Sequence, residues 1–136
     1  MKIRCSPKGS VLVVDDDEQT ANLVTLTLKS EGIAGARKVT DSCRVMQSLK
    51  DEETSLILLD MIMPNLDGRQ LLALIRQEYP HIPVVMVTGL SDVETVVECM
   101  KCGAYDYLLK PVEPSRLIAC VRNALRVNDL QNEVSI

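Results

Sequence analysis

The chain has 136 residues, 46% hydrophobic and 25% charged, the balance of one globular domain whose core needs no metal or disulfide staple. Its 15 Lys and Arg against 19 Asp and Glu leave a net charge of −4, which excludes the basic surface of a general nucleic-acid binder. Aromatic residues make up 2%, so the core must be aliphatic and there is little to stack on bases. The five cysteines are an odd number spread along the chain and read as reduced thiols. No apolar run reaches the length of a membrane span. The basic start, Met1 to Ser10, lacks the apolar stretch of a secretory signal, so a cytoplasmic location is expected.

In chain order, Val11 to Val14 form a strand-like run that stops at Asp15, Asp16 and Asp17. Glu18 to Ser30 follow with Ala21, Val24 and Leu28 at helical spacing, until Gly32 and Gly35 break the pattern. A weak second strand covers Ala36 to Val39, and Asp41 or Ser42 caps a short helix through Leu49. Leu56 to Leu59 are a third strand, ending at Asp60. Met63-Pro64-Asn65 make a loop, and Asp67 caps a helix that turns Leu71, Leu72 and Ile75 inward. Pro83 to Val87 form a fourth strand, ending at Thr88. Ser91 or Asp92 caps a helix carrying Val93, Val96, Val97 and Met100, which Gly103 closes. Tyr105 to Leu109 form a fifth strand, ending at Lys110-Pro111. A last helix starts at Pro114 or Ser115, with Leu117, Ile118, Val121 and Leu125 on one side.

Strands alternating with helices predict an α/β domain with a doubly wound parallel sheet, and the continuous apolar strands fit burial on both faces. The expected domain covers residues 10–126. Residues 1–9 are an N-terminal extension, and residues 127–136 a tail or the start of a linker toward an output domain. Right-handed crossovers bring all strand C-termini to one edge, where open α/β sheets place their chemistry. That edge gathers Asp15, Asp16, Asp17, Asp60, Thr88 and Lys110. Crowded carboxylates repel one another unless a cation is present, and hard oxygen ligands suit Mg²⁺. Lys110 adds a point charge for phosphate oxygens and Thr88 a hydroxyl donor, which together suit phosphoryl transfer to an aspartate.

The segments VLVVDDDE, LILLDMIMPNLDG, VVMVTG and GAYDYLLKP resemble, in order and spacing, the four characteristic stretches of response-regulator receiver domains of two-component signalling. The similarity runs from about Ser10 to Arg126, and DVETVVECMKCGAYDYLLKP is most similar to receivers of AAA+ enhancer-binding transcription activators. The resemblance implies a flavodoxin-like sheet in the order 2-1-3-4-5 with about five helices. The phospho-acceptor would be Asp60, served by a phosphohistidine of a partner histidine kinase. Mg²⁺ would be held by Asp15, Asp16, Asp60 and the main-chain carbonyl of Ile62. Thr88 would be the switch hydroxyl, Tyr107 the switch aromatic and Lys110 the phosphate-binding lysine, with a cis peptide before Pro111. The output face would be the fourth helix, fifth strand and fifth helix, with a homodimer possible on phosphorylation and no direct nucleic-acid or membrane contact. The positions flanking the water approach to the phosphorus atom would be Ile62 and Leu90, both apolar, which implies a long-lived aspartyl phosphate.

Two other readings compete. A haloacid-dehalogenase-like phosphatase would use Asp15 and Asp17 with Thr88 and Lys110. However, Gln19 stands where that family has Thr or Val, and Asp60 is left without a role. A pseudo-receiver would be an interaction module that lacks part of the pocket, yet every expected residue is present. Asp17 and Glu18 read as the start of the first helix. His81 reads as a solvated loop residue. Cys99-Met-Lys-Cys102 lies at a helix C-terminus, where the dipole does not activate a thiol, and reads as ordinary packing and surface thiols.

Overall fold

A computed structural model of the chain describes residues 10–33 and 35–134, so the expected extension over residues 1–9 lies outside the described residues. Five strands, β1 (Val11–Val14), β2 (Ala36–Val39), β3 (Leu56–Leu59), β4 (Val84–Thr88) and β5 (Asp106–Leu109), form one sheet in the order β2-β1-β3-β4-β5. Every pairing is parallel. Five helices connect or follow them: α1 (Glu18–Ser30), α2 (Val45–Asp51), α3 (Gly68–Glu78), α4 (Val93–Lys101) and α5 (Pro114–Val134). A short 3-10 turn, Ser42–Arg44, leads into α2.

Strand side chains alternate between two cores, as a period of two requires. Leu12, Val14, Ile57, Leu59, Val84 and Met86 meet Val45, Leu49, Leu71, Leu72, Ile75 and Cys99 from α2, α3 and α4. Val11, Val13, Leu56, Leu58, Val85 and Val87 meet Ala21, Leu28, Leu117, Ile118 and Val121 from α1 and α5. The central strands are therefore covered on both sides, which explains their uninterrupted apolar sequence.

Helix starts follow local capping chemistry. Asp17, Asp41, Asp67 and Asp92 accept backbone N–H bonds at the starts of α1, the 3-10 turn, α3 and α4, and Asp67 and Gln70 complete a capping box. Gly103, at φ 102°, follows the C-cap of α4. The strand limits shift by a residue from those expected: β4 begins at Val84 instead of Pro83, and β5 at Asp106 instead of Tyr105. Pro83 has no N–H for the ladder, while the Tyr105 amide still donates to the Val84 carbonyl at 2.7 Å. Helix α5 continues unbroken past residue 126 to Val134. Among the described residues no helix is long and apolar enough to cross a membrane.

Candidate functional site

Register decides which residues meet. Val14 of β1 pairs with Leu59 of β3, so the next residues, Asp15 and Asp60, emerge side by side, with the Asp60 amide donating to the Val14 carbonyl at 3.0 Å. On β5 the Lys110 amide donates to the Thr88 carbonyl at 2.9 Å, which fixes the start of the Lys110 side chain one strand beyond β4. Asp15, Asp60 and Lys110 share the strand parity of the α1/α5 side. The Lys110 ammonium accordingly donates to Asp15 Oδ2 at 2.6 Å and to Asp60 Oδ2 at 3.0 Å. The peptide before Pro111 is cis, as the resemblance implied.

Asp15 is 4% and Asp60 7% exposed. Burial raises the Asp15 carboxyl above its ordinary pKa, outweighing the Lys110 hydrogen bond, and the Asp60 charge adds to the rise. Burial alone would lower the Lys110 ammonium; its hydrogen bonds to Asp15 and Asp60 prevail and raise it. Two buried carboxylates and a third, exposed one thus face a single ammonium. Asp16 is exposed, and carboxylate oxygens of Asp15, Asp16 and Asp60 lie within 4.8 Å of one another. Three hard oxygen donors with a charge deficit fit a small divalent cation. The Ile62 amide donates to Asp60 Oδ1 at 3.4 Å, which ties the start of the β3–α3 connection to the same cluster.

Asp17 is absent from the cluster, as its cap reading required. Its Oδ1 accepts from the Gln19 amide at 3.1 Å and its Oδ2 from the Thr20 hydroxyl at 2.8 Å. Both oxygens serve α1, so the phosphatase reading loses its second acid. Thr88 is fully buried at the end of β4, on the opposite strand parity, and its hydroxyl accepts from the Leu90 amide at 3.4 Å. Tyr107 is 9% exposed and donates from its hydroxyl to the Leu90 carbonyl at 2.7 Å. The Tyr107 ring is thus buried, with its hydroxyl bonded to the loop that follows Thr88.

Cys99 is buried, with burial raising its thiol pKa, and Cys102 is exposed, as ordinary thiols. His81 is exposed on its loop and tilts against the Tyr79 ring at 6.5 Å. Sequence reasoning missed Gly68. A Cβ there would lie 2.2 Å from the Asp60 carbonyl oxygen and 2.7 Å from Met61 Cα. The start of α3 is therefore seated directly on the strand end that carries Asp60. The Asp-Gly pair was visible in sequence, but the contact behind it was not.

The family model for the response regulator receiver domain matches residues 11–122. The nitrogen assimilation regulatory protein NtrX of Azorhizobium caulinodans is 36% identical over 126 residues, 91% of this chain and 28% of that protein. The DNA-binding response regulator MtrA of Mycobacterium leprae is 35% identical over 119 residues, 88% of this chain and 52% of that protein. The crystal structure of the receiver domain of NtrX from Brucella abortus superimposes with a TM-score of 0.81 at 35% identity, covering 86% of this chain and 98% of that one. The chain spans about a quarter of the length of the NtrX-like relatives. These NtrX matches agree with the narrower of the two resemblances, that carried by residues 92–111. With the fold, the strand-end cluster and these relatives in agreement, the chain belongs to the response-regulator receiver domain family.

Proposed function

We propose that the domain is a cytoplasmic, phosphorylation-dependent switch. Asp60 takes a phosphoryl group from a phosphohistidine of a sensor histidine kinase, and the α4-β5-α5 face changes to control an output, here transcription. The carrying observation is one ammonium held between two buried carboxylates at the ends of the central strands. An Asp60 oxygen forms the new bond to phosphorus as the P–N bond breaks and the imidazole leaves. Oδ1, whose contact is the Ile62 amide at 3.4 Å, is the freer of the two oxygens. Lys110 turns from its carboxylate partners toward a phosphoryl oxygen, and Thr88 supplies a hydroxyl to another. Mg²⁺, when bound, offsets the charge of the carboxylates and the incoming group; Asp15, Asp16, Asp60 and the Ile62 carbonyl would hold it. The domain promotes its own phosphorylation and slow dephosphorylation, without turnover of other substrates. Incubation with Mg²⁺ and a small acyl phosphate should add one phosphoryl group per chain, while sustained phosphate release from a generic phosphate ester would favour a phosphatase instead.

Metal uptake depends on Asp16 and not on Asp17. Asp16 offers a carboxylate to the cluster, whereas both Asp17 oxygens are engaged by α1. Asp16→Ala should abolish Mg²⁺ binding in calorimetry. Asp17→Ala should retain it and lose only a helix cap. Equal losses of binding would contradict the assignment.

The output face carries Val93, Val97 and Met100 exposed on α4, Tyr105 just before β5 and Leu109 at its end, an apolar surface suited to a second copy or an output partner. Tyr107 and Leu90 tie this face to Thr88, so a phosphoryl group on Asp60 stabilises the inward loop and ring together. Hydrogen exchange on phosphorylation should change most across residues 90–109. A response confined to α1 would refute the coupling.

Phosphate lifetime follows from Ile62 and Leu90. Neither side chain can orient an attacking water, and positioning a nucleophile is worth several kcal/mol, each ~1.4 kcal/mol being tenfold in rate. Ile62 is 60% exposed, while Leu90 packs against the core, so the obstruction falls to Ile62. The phosphoprotein should persist well beyond seconds. Ile62→Asn with Leu90→Glu should shorten its life with Mg²⁺ binding retained, and Ile62→Asn alone should carry most of the effect. Wild-type loss within seconds, or a longer-lived double variant, would disprove the argument.

A further inference from the structure

The loop between β3 and α3 is pinned from outside the site. Pro64, Asn65 and Leu66 form a γ-turn, with the Leu66 amide donating to the Pro64 carbonyl at 2.9 Å and Asn65 at φ 72°. A γ-turn whose central residue has positive φ is rare and strained, and persists where its surroundings hold it. The Ser42 hydroxyl spans the same two groups. It donates to the Pro64 carbonyl at 3.0 Å and accepts from the Leu66 amide at 3.3 Å. Ser42 is 3% exposed, at the start of the 3-10 turn that Asp41 caps through the Cys43 amide at 3.0 Å. A buried hydroxyl with both its donor and an acceptor position committed to one turn acts as a clamp. Met61 and Met63 are buried on either side of Ile62, whose amide donates to Asp60 Oδ1 at 3.4 Å, so clamp and anchors together confine the backbone of Ile62 from both sides.

We infer that Ser42 is a positioning residue for the phosphorylation site: it holds the γ-turn that closely follows Ile62 and so restrains the backbone of that residue, whose carbonyl is a metal ligand in the function proposed above. The inference rests on that reading. Ser42 is hydrogen-bonded to the loop and not to Asp15, Asp16, Asp60 or Lys110. Its removal should therefore weaken metal binding without disabling the chemistry.

The test titrates Mg²⁺ into wild type, Ser42→Ala and Ser42→Thr by calorimetry, and follows Leu66 amide exchange by NMR in metal-free protein. Ser42→Ala should bind Mg²⁺ roughly tenfold more weakly, the low end of the effect of removing a group that supports a metal ligand. It should reach the wild-type phosphorylation rate once Mg²⁺ is saturating, and its Leu66 amide should exchange faster. Ser42→Thr, which keeps the hydroxyl, should bind Mg²⁺ as wild type does. Unchanged affinity or unchanged Leu66 protection in Ser42→Ala overturns the inference. So does a rate defect that saturating Mg²⁺ does not repair, because that marks damage to the fold or the chemistry. If wild type takes up no Mg²⁺, the metal reading fails, and Leu66 exchange alone decides whether Ser42 clamps the loop.

Discussion

Asp60→Asn should leave a folded protein that takes up no phosphoryl group. Wild type incubated with Mg²⁺ and a small acyl phosphate should gain one phosphoryl group by intact mass, and the variant none. The amide keeps the side-chain volume at a position 7% exposed, so packing changes little. It removes the anionic oxygen that attacks phosphorus, and no other carboxylate is placed to replace it. Asp15 is held by the Asp17 amide at 2.9 Å and by Lys110 at 2.6 Å. Asp17 caps α1, and Asp16 is exposed at the rim of the cluster. Stability should move the other way from activity. The pocket is overcharged with carboxylates in the absence of a cation, so neutralising one of them should hold or raise the melting temperature of the metal-free protein. A phosphorylated Asp60→Asn protein would sink the assignment.

The sheet and the site's polar residues were legible because each is local. Four-residue apolar runs stop at a polar residue, and parallel register converts those stops into neighbours. Asp15, Asp60 and Lys110 meet for that reason alone. Caps were legible for a similar reason, since Asp17, Asp67 and Asp92 bond to amides two or three residues on. Helix orientation was less legible. The sequence placed Val93, Val96, Val97 and Met100 on α4 without assigning their faces; Val93, Val97 and Met100 are exposed, while Val96 packs against the core and Cys99 is fully buried. How a helix docks, and which of its faces is left for a partner, depends on the neighbouring elements and not on its own composition. The inward Tyr107 ring was hidden for the same reason, because its partner is the carbonyl of Leu90 in a different connection. The supports of the site were not legible at all. Ser42 reaches a loop 24 residues away, and Gly68 matters through atoms of Asp60 and Met61 that no spacing rule brings to it.

Gly68→Ala should cost more stability than Gly32→Ala, Gly89→Ala or Gly103→Ala. The cause is space and not backbone conformation, since Gly68 is not among the residues at positive φ. An added Cβ would meet the Asp60 carbonyl oxygen at 2.2 Å, Met61 Cα at 2.7 Å and the Asp60 carbonyl carbon at 2.9 Å. All three are backbone atoms, so no rotamer change relieves the clash. Either α3 lifts away or the end of β3 moves. Lifting α3 breaks the bond from the Gly68 amide to the Met61 carbonyl at 2.8 Å and disturbs the packing of Leu71 and Leu72. Moving β3 displaces Asp60 itself from Lys110. Overpacking of this kind costs about 3 kcal/mol or somewhat more, which at roughly 4 °C per kcal/mol lowers the melting temperature by ~12 °C. Gly89→Ala is the control, because a Cβ at Gly89 meets nothing within 4 Å, and its melting temperature should stay within about 2 °C of wild type. The two routes of relief separate by phosphorylation. If the strand end yields, Gly68→Ala should lose phosphoryl uptake along with stability; if the helix yields, uptake should persist at a temperature where the variant is still folded. A Gly68→Ala protein as stable as wild type would show that α3 does not press on Asp60 in solution.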